Sequence, residues 1–213
     1  MVQIAPSMLA ADFLHLEKDV EMVNANADLF HLDIMDGVFV PNISYGFPVV
    51  EAIAKIARKP LDTHLMIIEP EKYVEKFVKA GSSMVSFHLN ATKDPDAVLA
   101  KIRECGAKAG LVINPDIPVE SLFPHLKNCD YVMLMSVYAG FGGQKFIEET
   151  YGRIKALRAE IDAQRLDIHL EVDGGVSASN AAELIGSGAD ILVAGSAVFK
   201  AEDPADVIAR MRG

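Results

Sequence analysis

"DLFHLDI", residues 28–34, sets His31 and Asp33 inside an otherwise apolar run. Residues two apart in an extended strand leave the same face, so the histidine and the acid share one side. In a closed barrel that side is the interior, and residues at the carboxyl ends of the strands point to the active site. Whether the chain builds such a barrel depends on how many runs of this kind it contains and what separates them.

Seven more short apolar runs recur: "QIAPSML" (3–9), "LDTHLMI" (61–67), "MVSFHL" (84–89), "KAGLVI" (108–113), "YVMLMSV" (131–137), "IHLEV" (168–172) and "DILVAG" (190–195). Between them lie segments of helical periodicity. "DFLHLEKDVEMVNAN" (12–26) is one, with Phe13, Leu14, Val20 and Val23 on the repeat, and "PDAVLAKIRECG" (95–106) has a proline start and a glycine stop. Strands alternating with helices make parallel βαβ units, and eight of them predict a single (β/α)8 TIM barrel over residues 1–213. A doubly wound sheet is the alternative. Short helix-to-strand connections such as "NADLF", "AGSSMV" and "SGADIL" suit both folds. Polar residues gathered at strand ends favour the barrel: Ser7 on the first, His31 and Asp33 on the second, His64 on the third and Asp173 on the seventh.

Composition narrows the function. With 213 residues, 51% hydrophobic and 23% charged, the chain supports one globular domain with a substantial core. No run approaches the roughly 20 apolar residues of a membrane span, and no basic stretch leads into an apolar N-terminus, so a cytoplasmic protein is expected. Cys105 and Cys129 lack CxxC spacing and read as reduced, structural thiols. A formal charge of -10 without a Lys/Arg cluster argues against a nucleic-acid surface. An anionic ligand would need local positive potential, which helix amino termini can supply without any lysine.

His31, Asp33, His64 and Asp173 form a candidate metal set. Buried charges need partners, and a divalent cation is one that two imidazoles and two carboxylates would share. The donors suit Zn²⁺, Fe²⁺, Mn²⁺ or Co²⁺ alike. Asp62 shares the face of His64 and is a candidate acceptor behind the ligands. Blander readings fit other residues. His88 and His169 read as core histidines, and Asp36, before Gly37, reads as a turn former. Asp173 in "EVDGGV" (171–176) would be a turn residue too if it stood alone.

Three glycine-containing loops follow the sixth, seventh and eighth runs: "YAGFGGQKF" (138–146), "DGGVS" (173–177) and "AGSAVF" (194–199). On one rim their backbone N–H groups would approach a ligand closely, and barrels of this type commonly bind phosphate with the loops after strands seven and eight. Neither a GxxxxGK[ST] loop nor a GxGxxG fingerprint is present, so a nucleotide site of either kind is not expected.

"APSMLAAD", "HLDIMDGVFVPN", "HLMI", "MSVYAGFGGQKF", "EVDGGV" and "VAGSAVF" occur in that order over nearly the whole chain, and together they resemble the ribulose-phosphate 3-epimerase family. The resemblance implies a cytoplasmic enzyme of the pentose phosphate pathway that interconverts D-ribulose 5-phosphate and D-xylulose 5-phosphate. It implies one divalent metal ion per subunit, foremost Zn²⁺, on His31, Asp33, His64 and Asp173, with Asp33 and Asp173 as the acid/base pair. It assigns substrate contacts to Ser7, His64, Gly140, Phe141, Gly142, Gly143, Asp173, Gly174, Gly175, Gly195 and Ser196. Met35, Met66 and Met135 correspond to methionines near the metal, with core packing as the plain alternative. The family also implies a homo-oligomer, dimer or hexamer. Two departures stand out. Tyr138-Ala139 replaces the usual Asn-Pro before "GFGGQ", which would change the tilt or rigidity of that loop, and Asn90 stands where an acid is commoner.

Epimerising carbon 3 of a ketose phosphate requires removing a weakly acidic proton beside a carbonyl and returning one to the opposite face, through an enediolate whose charge a metal would stabilise. An allulose-6-phosphate 3-epimerase would use the same chemistry on a six-carbon substrate. A lyase or decarboxylase would place a lysine among the strand-two acids, and "HLDIMDG" has none. A non-catalytic phosphosugar-binding barrel would bind its ligand without exchanging hydrogen.

Overall fold

All eight apolar runs become strands in a computed structural model describing residues 1–213. They are β1 (Gln3–Pro6), β2 (Phe30–Met35), β3 (Leu61–Met66), β4 (Met84–His88), β5 (Lys108–Ile113), β6 (Tyr131–Met135), β7 (His169–Asp173) and β8 (Ile191–Ala194). Every pairing is parallel and the order around the sheet is β1-β8-β7-β6-β5-β4-β3-β2. The remaining seam, between β1 and β2, is drawn together by a parallel bridge between Ser7 and His31 and by Leu29 N–H donating to Ile4 O at 3.3 Å. The doubly wound alternative fails on this order, because such a sheet has two open edges.

Helices α1 (Leu16–Asn26), α2 (Phe47–Ala54), α3 (Val74–Lys79), α4 (Pro95–Glu104), α5 (Thr150–Ala163), α6 (Ala181–Ser187), α7 (Ser196–Phe199) and α8 (Pro204–Arg212) surround the barrel. Asp94 caps α4 by accepting Ala97 N–H, and Pro95 follows at the first helical position, where a missing N–H costs nothing. Two expectations are corrected here. The first helix begins at Leu16 rather than Asp12, because the Asp12 carboxylate accepts Leu14 N–H at 3.0 Å and holds the segment in a turn, leaving Phe13 and Leu14 exposed. The crossover from β5 to β6 has no α-helix. Its turns, Val119–Ser121 and Phe123–Asn128, are 3₁₀, as expected where Pro118 and Pro124 withhold N–H groups and disfavour the α conformation of the residue before them.

The main core, a cluster of 46 buried residues, lies between the barrel wall and the helices. Inside the barrel the layers are mixed. Ala5, Leu29, Met84, Tyr131 and Ile191 close the lower part, with Val193 of the same cluster reaching up to the cavity lining. Gly110 is required there, since a Cβ on it would lie 2.4 Å from Cζ of Tyr131, whose ring crosses the barrel at that point. Above them the interior turns polar and opens toward the carboxyl ends of the strands.

At the opposite, amino-terminal face one device repeats. Asp28, Asp130 and Asp190 stand just before β2, β6 and β8, and each carboxylate accepts a backbone N–H from the preceding strand: Ile4, Ala109 and Leu170, all at 2.8 Å. Each also pairs with an arginine from the helical layer, Arg212, Arg103 and Arg158 respectively. The "NAD" and "GAD" of the connecting segments are thus strand-to-strand clamps.

Candidate active site

The register of β2 against β3 sets His31 beside Asp62 and Asp33 beside His64, so a two-residue period on each strand stacks two layers of polar groups. In the upper layer four side chains converge. His31 Nε2 lies 3.5 Å from Asp33 Oδ1 and 3.9 Å from Asp173 Oδ2, and His64 Nδ1 lies 3.4 Å and 3.8 Å from the same two oxygens. Both imidazoles are fully buried, and these two nitrogens have no hydrogen-bond partner. Two orphaned buried nitrogens facing two carboxylates fit a cation: the four groups could hold a metal ion. The residues gathered by sequence alone as a candidate metal set are those brought together.

The lower layer orients the upper one. His31 Nδ1 is 2.6 Å from Asp62 Oδ2, and Asp62 Oδ1 accepts the Tyr131 hydroxyl at 2.8 Å. Asp62 is therefore the acceptor behind His31: it takes the Nδ1 proton and leaves Nε2 facing the cluster. Glu171, fully buried on β7, lies 3.5 Å from His31 Nδ1 through Oε1. Burial first, then the Asp62 charge, pushes its carboxyl well above the ordinary range. Asp33 also accepts the Ser7 hydroxyl at 2.5 Å, which sets Ser7 against the cluster.

The two candidate acid/base carboxylates have been driven apart. Burial disfavours the charge on Asp33, but His31 and His64 more than offset it and hold the group far below its usual value. Asp173 goes the other way: burial, and then the neighbouring Asp33 charge, push it up to about 6. His31, which burial alone would keep neutral, is held well above its usual value by Asp33 and Asp62.

Backbone geometry holds Asp173 in place. Ser136 Oγ donates into the carbonyls of Asp173 at 2.8 Å and Gly174 at 2.5 Å. Gly174 (φ 118°) and Gly175 (φ 62°) then turn the chain, and a Cβ on Gly175 would lie 2.6 Å from Phe146 N. The acid stands at the end of its strand and the glycines make the turn.

Above the cluster opens a cavity of about 780 Å³, in the range of small-molecule sites. Ser7, Asp33, Asp173, Met35, Met66 and Met135 line its floor side, and the expected glycines, Gly140, Gly142, Gly143, Gly174, Gly175 and Gly195, line it with Phe141 and Ser196. His31 and His64 lie beneath the lining. The loop bearing Tyr138-Ala139 is tied down without the usual proline: Asn114 Oδ1 accepts Ala139 N–H at 3.2 Å, Gln144 donates to the carbonyls of Tyr138 and Phe141, and Asn42 donates to Gly140 O. Asn90, in the turn after β4, does not line the cavity.

One reading changes: His169 is exposed at the start of β7, not a core residue, because that end of the strand emerges on the amino-terminal face. His88 is the buried histidine expected, and it lies against the site, with its Nε2 2.9 Å from Nε2 of His64. Tyr131, Ser136, Glu171 and Lys200, the one basic residue lining the cavity, were not singled out by sequence. For Glu171 the signal was available, since it shares the face of Asp173 two residues on.

A family model described as the ribulose-phosphate 3 epimerase family matches residues 3–199. Among curated proteins, the ribulose-phosphate 3-epimerase of Synechocystis sp. is 48% identical, covering 99% of this chain and 93% of that protein. The ribulose-phosphate 3-epimerase of Bacillus subtilis is 43% identical over 100% and 99%. Among solved structures, KGPDC from Streptococcus mutans superposes with a TM-score of 0.74 at 12% identity, covering 100% of this chain and 96% of that one, a likeness of fold.

Proposed function

Because the chain belongs to the ribulose-phosphate 3-epimerase family and is an epimerase of that family, we propose that it inverts carbon 3 of D-ribulose 5-phosphate by proton transfer between two carboxylates at a divalent metal site. The observation that carries this reading is the convergence of His31 Nε2, His64 Nδ1, Asp33 and Asp173 beneath a cavity lined by glycine loops. A cation held by these four residues would supply Lewis-acid stabilisation of the negative charge that develops on the substrate oxygens. Two nitrogen and two oxygen donors suit Zn²⁺, Fe²⁺, Mn²⁺ or Co²⁺ alike, and the family resemblance makes Zn²⁺ the occupant we put first.

Asp33, favoured as a carboxylate, removes the proton from carbon 3, and Asp173, the group that protonates more readily, returns one to the other face; in the reverse direction the roles exchange. Ser7, on Asp33 Oδ2, orients the base. Met35, Met66 and Met135 give the floor an apolar lining that limits water around the intermediate. Backbone groups of Gly140–Gly143, Gly174, Gly175, Gly195 and Ser196 receive the phosphate, with Lys200 adding positive charge. Asp33→Asn and Asp173→Asn should each lower kcat by at least about 10²-fold with the fold retained. Near-normal turnover in either variant would contradict the assignment.

We take residues 1–213 as one catalytic domain working in the cytoplasm, a reading supported by the unpaired Cys105 and Cys129. No helix is long and apolar enough to cross a membrane. Leu14, Val38, Ile43 and Ile68, left exposed on the loops after β1, β2 and β3, support assembly into a homo-oligomer, dimer or hexamer. Sedimentation velocity should therefore show a dimer or larger, and a monomer at micromolar concentration would contradict it.

A further inference from the structure

The two imidazoles of the cluster are supported from behind in different ways. His31 leans on the carboxylate of Asp62. His64 has no carboxylate behind it; its Nε2 meets Nε2 of His88 at 2.9 Å. The two rings meet edge to edge, with centroids 5.0 Å apart and planes 26° from parallel, and both side chains are fully buried. Phe39, from the loop after β2, packs on His88 with ring centroids 4.8 Å apart, so the imidazole has little room to turn.

Two facing ring nitrogens at this distance are joined by one proton: one donates and the other accepts. His64 Nδ1, its other nitrogen, faces Asp33 and Asp173 without a hydrogen bond. For that atom to offer a lone pair to a cation, the ring proton has to sit on Nε2, where His88 is its hydrogen-bond partner. We propose that His88 is a positioning residue, which accepts the His64 Nε2–H and so holds His64 in the tautomer and rotation that present Nδ1 to Asp33 and Asp173. This rests on the metal-site reading above and adds to it a residue that touches neither metal nor substrate. A histidine can act this way where an acid would not be needed: the cluster already holds Asp33, Asp62, Glu171 and Asp173, and a neutral acceptor supports the ring without a further buried negative charge.

The test uses the full-length protein stripped of metal and titrated with Zn²⁺ against a chromophoric chelator. His88→Leu should weaken Zn²⁺ binding about 10- to 100-fold, the usual effect of losing such a support. His88→Gln, whose side-chain oxygen can accept the same proton, should recover most of the affinity. A separate readout needs no variant: in the Zn²⁺-loaded wild type, long-range ¹H–¹⁵N correlation should show His64 protonated at Nε2. Wild-type Zn²⁺ affinity in His88→Leu, or a His64 protonated at Nδ1, overturns the proposal. So does a His88→Leu that melts lower by the same amount with and without metal, which marks a purely structural role. If the wild type itself binds no Zn²⁺, the site reading fails first, and that result is distinguishable from the others.

Discussion

Asp173 shows how one side chain is set between folding and function. It lies at the mouth of the barrel with its carboxyl raised from 3.8 to about 6 by burial and by Asp33, so in the metal-free protein its charge works against the fold. The sign follows from linkage: the folded state holds this proton more tightly than the unfolded chain, so the metal-free protein loses stability as pH rises from about 4 to about 6 and recovers none above it. Asp173→Asn removes that penalty. Its metal-free form should be more stable than wild type above about pH 6, on the order of 1–3 kcal/mol, with the difference vanishing toward pH 4. Thermal melts with chelator across that range check it, and a variant less stable than wild type at pH 7.5 would contradict it. The sequence placed Asp173 in the site by its position after an apolar strand. Its separation from Asp33 in proton affinity was not legible there, because it arises from two histidines on β2 and β3 and from how deeply each acid is buried.

At the level of strands and loops, legibility followed periodicity. All eight strands announce themselves as short apolar runs, and a two-residue period already joins His31 to Asp33. What did not show is what depends on register between strands distant in sequence: Tyr131 donating to Asp62 across the barrel, and His88 behind His64, a histidine that a single strand presents as an ordinary core residue. The aspartate clamps belong to the same class. "NADLF" and "SGADIL" read as short connections, yet Asp28 and Asp190 each accept a neighbouring strand's N–H and pair with an arginine. Asp190→Ala leaves Leu170 N–H and Arg158 without that carboxylate. It should cost about 1.5–3 kcal/mol, read as a melting temperature lower by several degrees. The clamp lies on the face away from the cavity, so kcat/KM per folded molecule should be unchanged, and a large loss of kcat with an unaltered melt would contradict a purely structural role.

Across the whole molecule the barrel divides its labour by height. The amino-terminal face carries the clamps, the lower interior is apolar around Tyr131, a buried polar layer of Asp62, Glu171 and His88 lies against the layer of His31, Asp33, His64 and Asp173, and the glycine loops roof the cavity above. Buried acids and histidines at this density are costly to folding unless something compensates them, and the unpartnered nitrogens of His31 and His64 are where we propose a cation does so. The central claim is therefore metal-dependent proton exchange at carbon 3. The direct measurement follows deuterium from D₂O into D-ribulose 5-phosphate by NMR, with the enzyme as purified, after exhaustive chelation, and after Zn²⁺ is restored. Label should enter at carbon 3 alone as D-xylulose 5-phosphate forms, cease on chelation and return with the metal. Exchange and epimerisation that continue undiminished in the chelated enzyme would contradict the account.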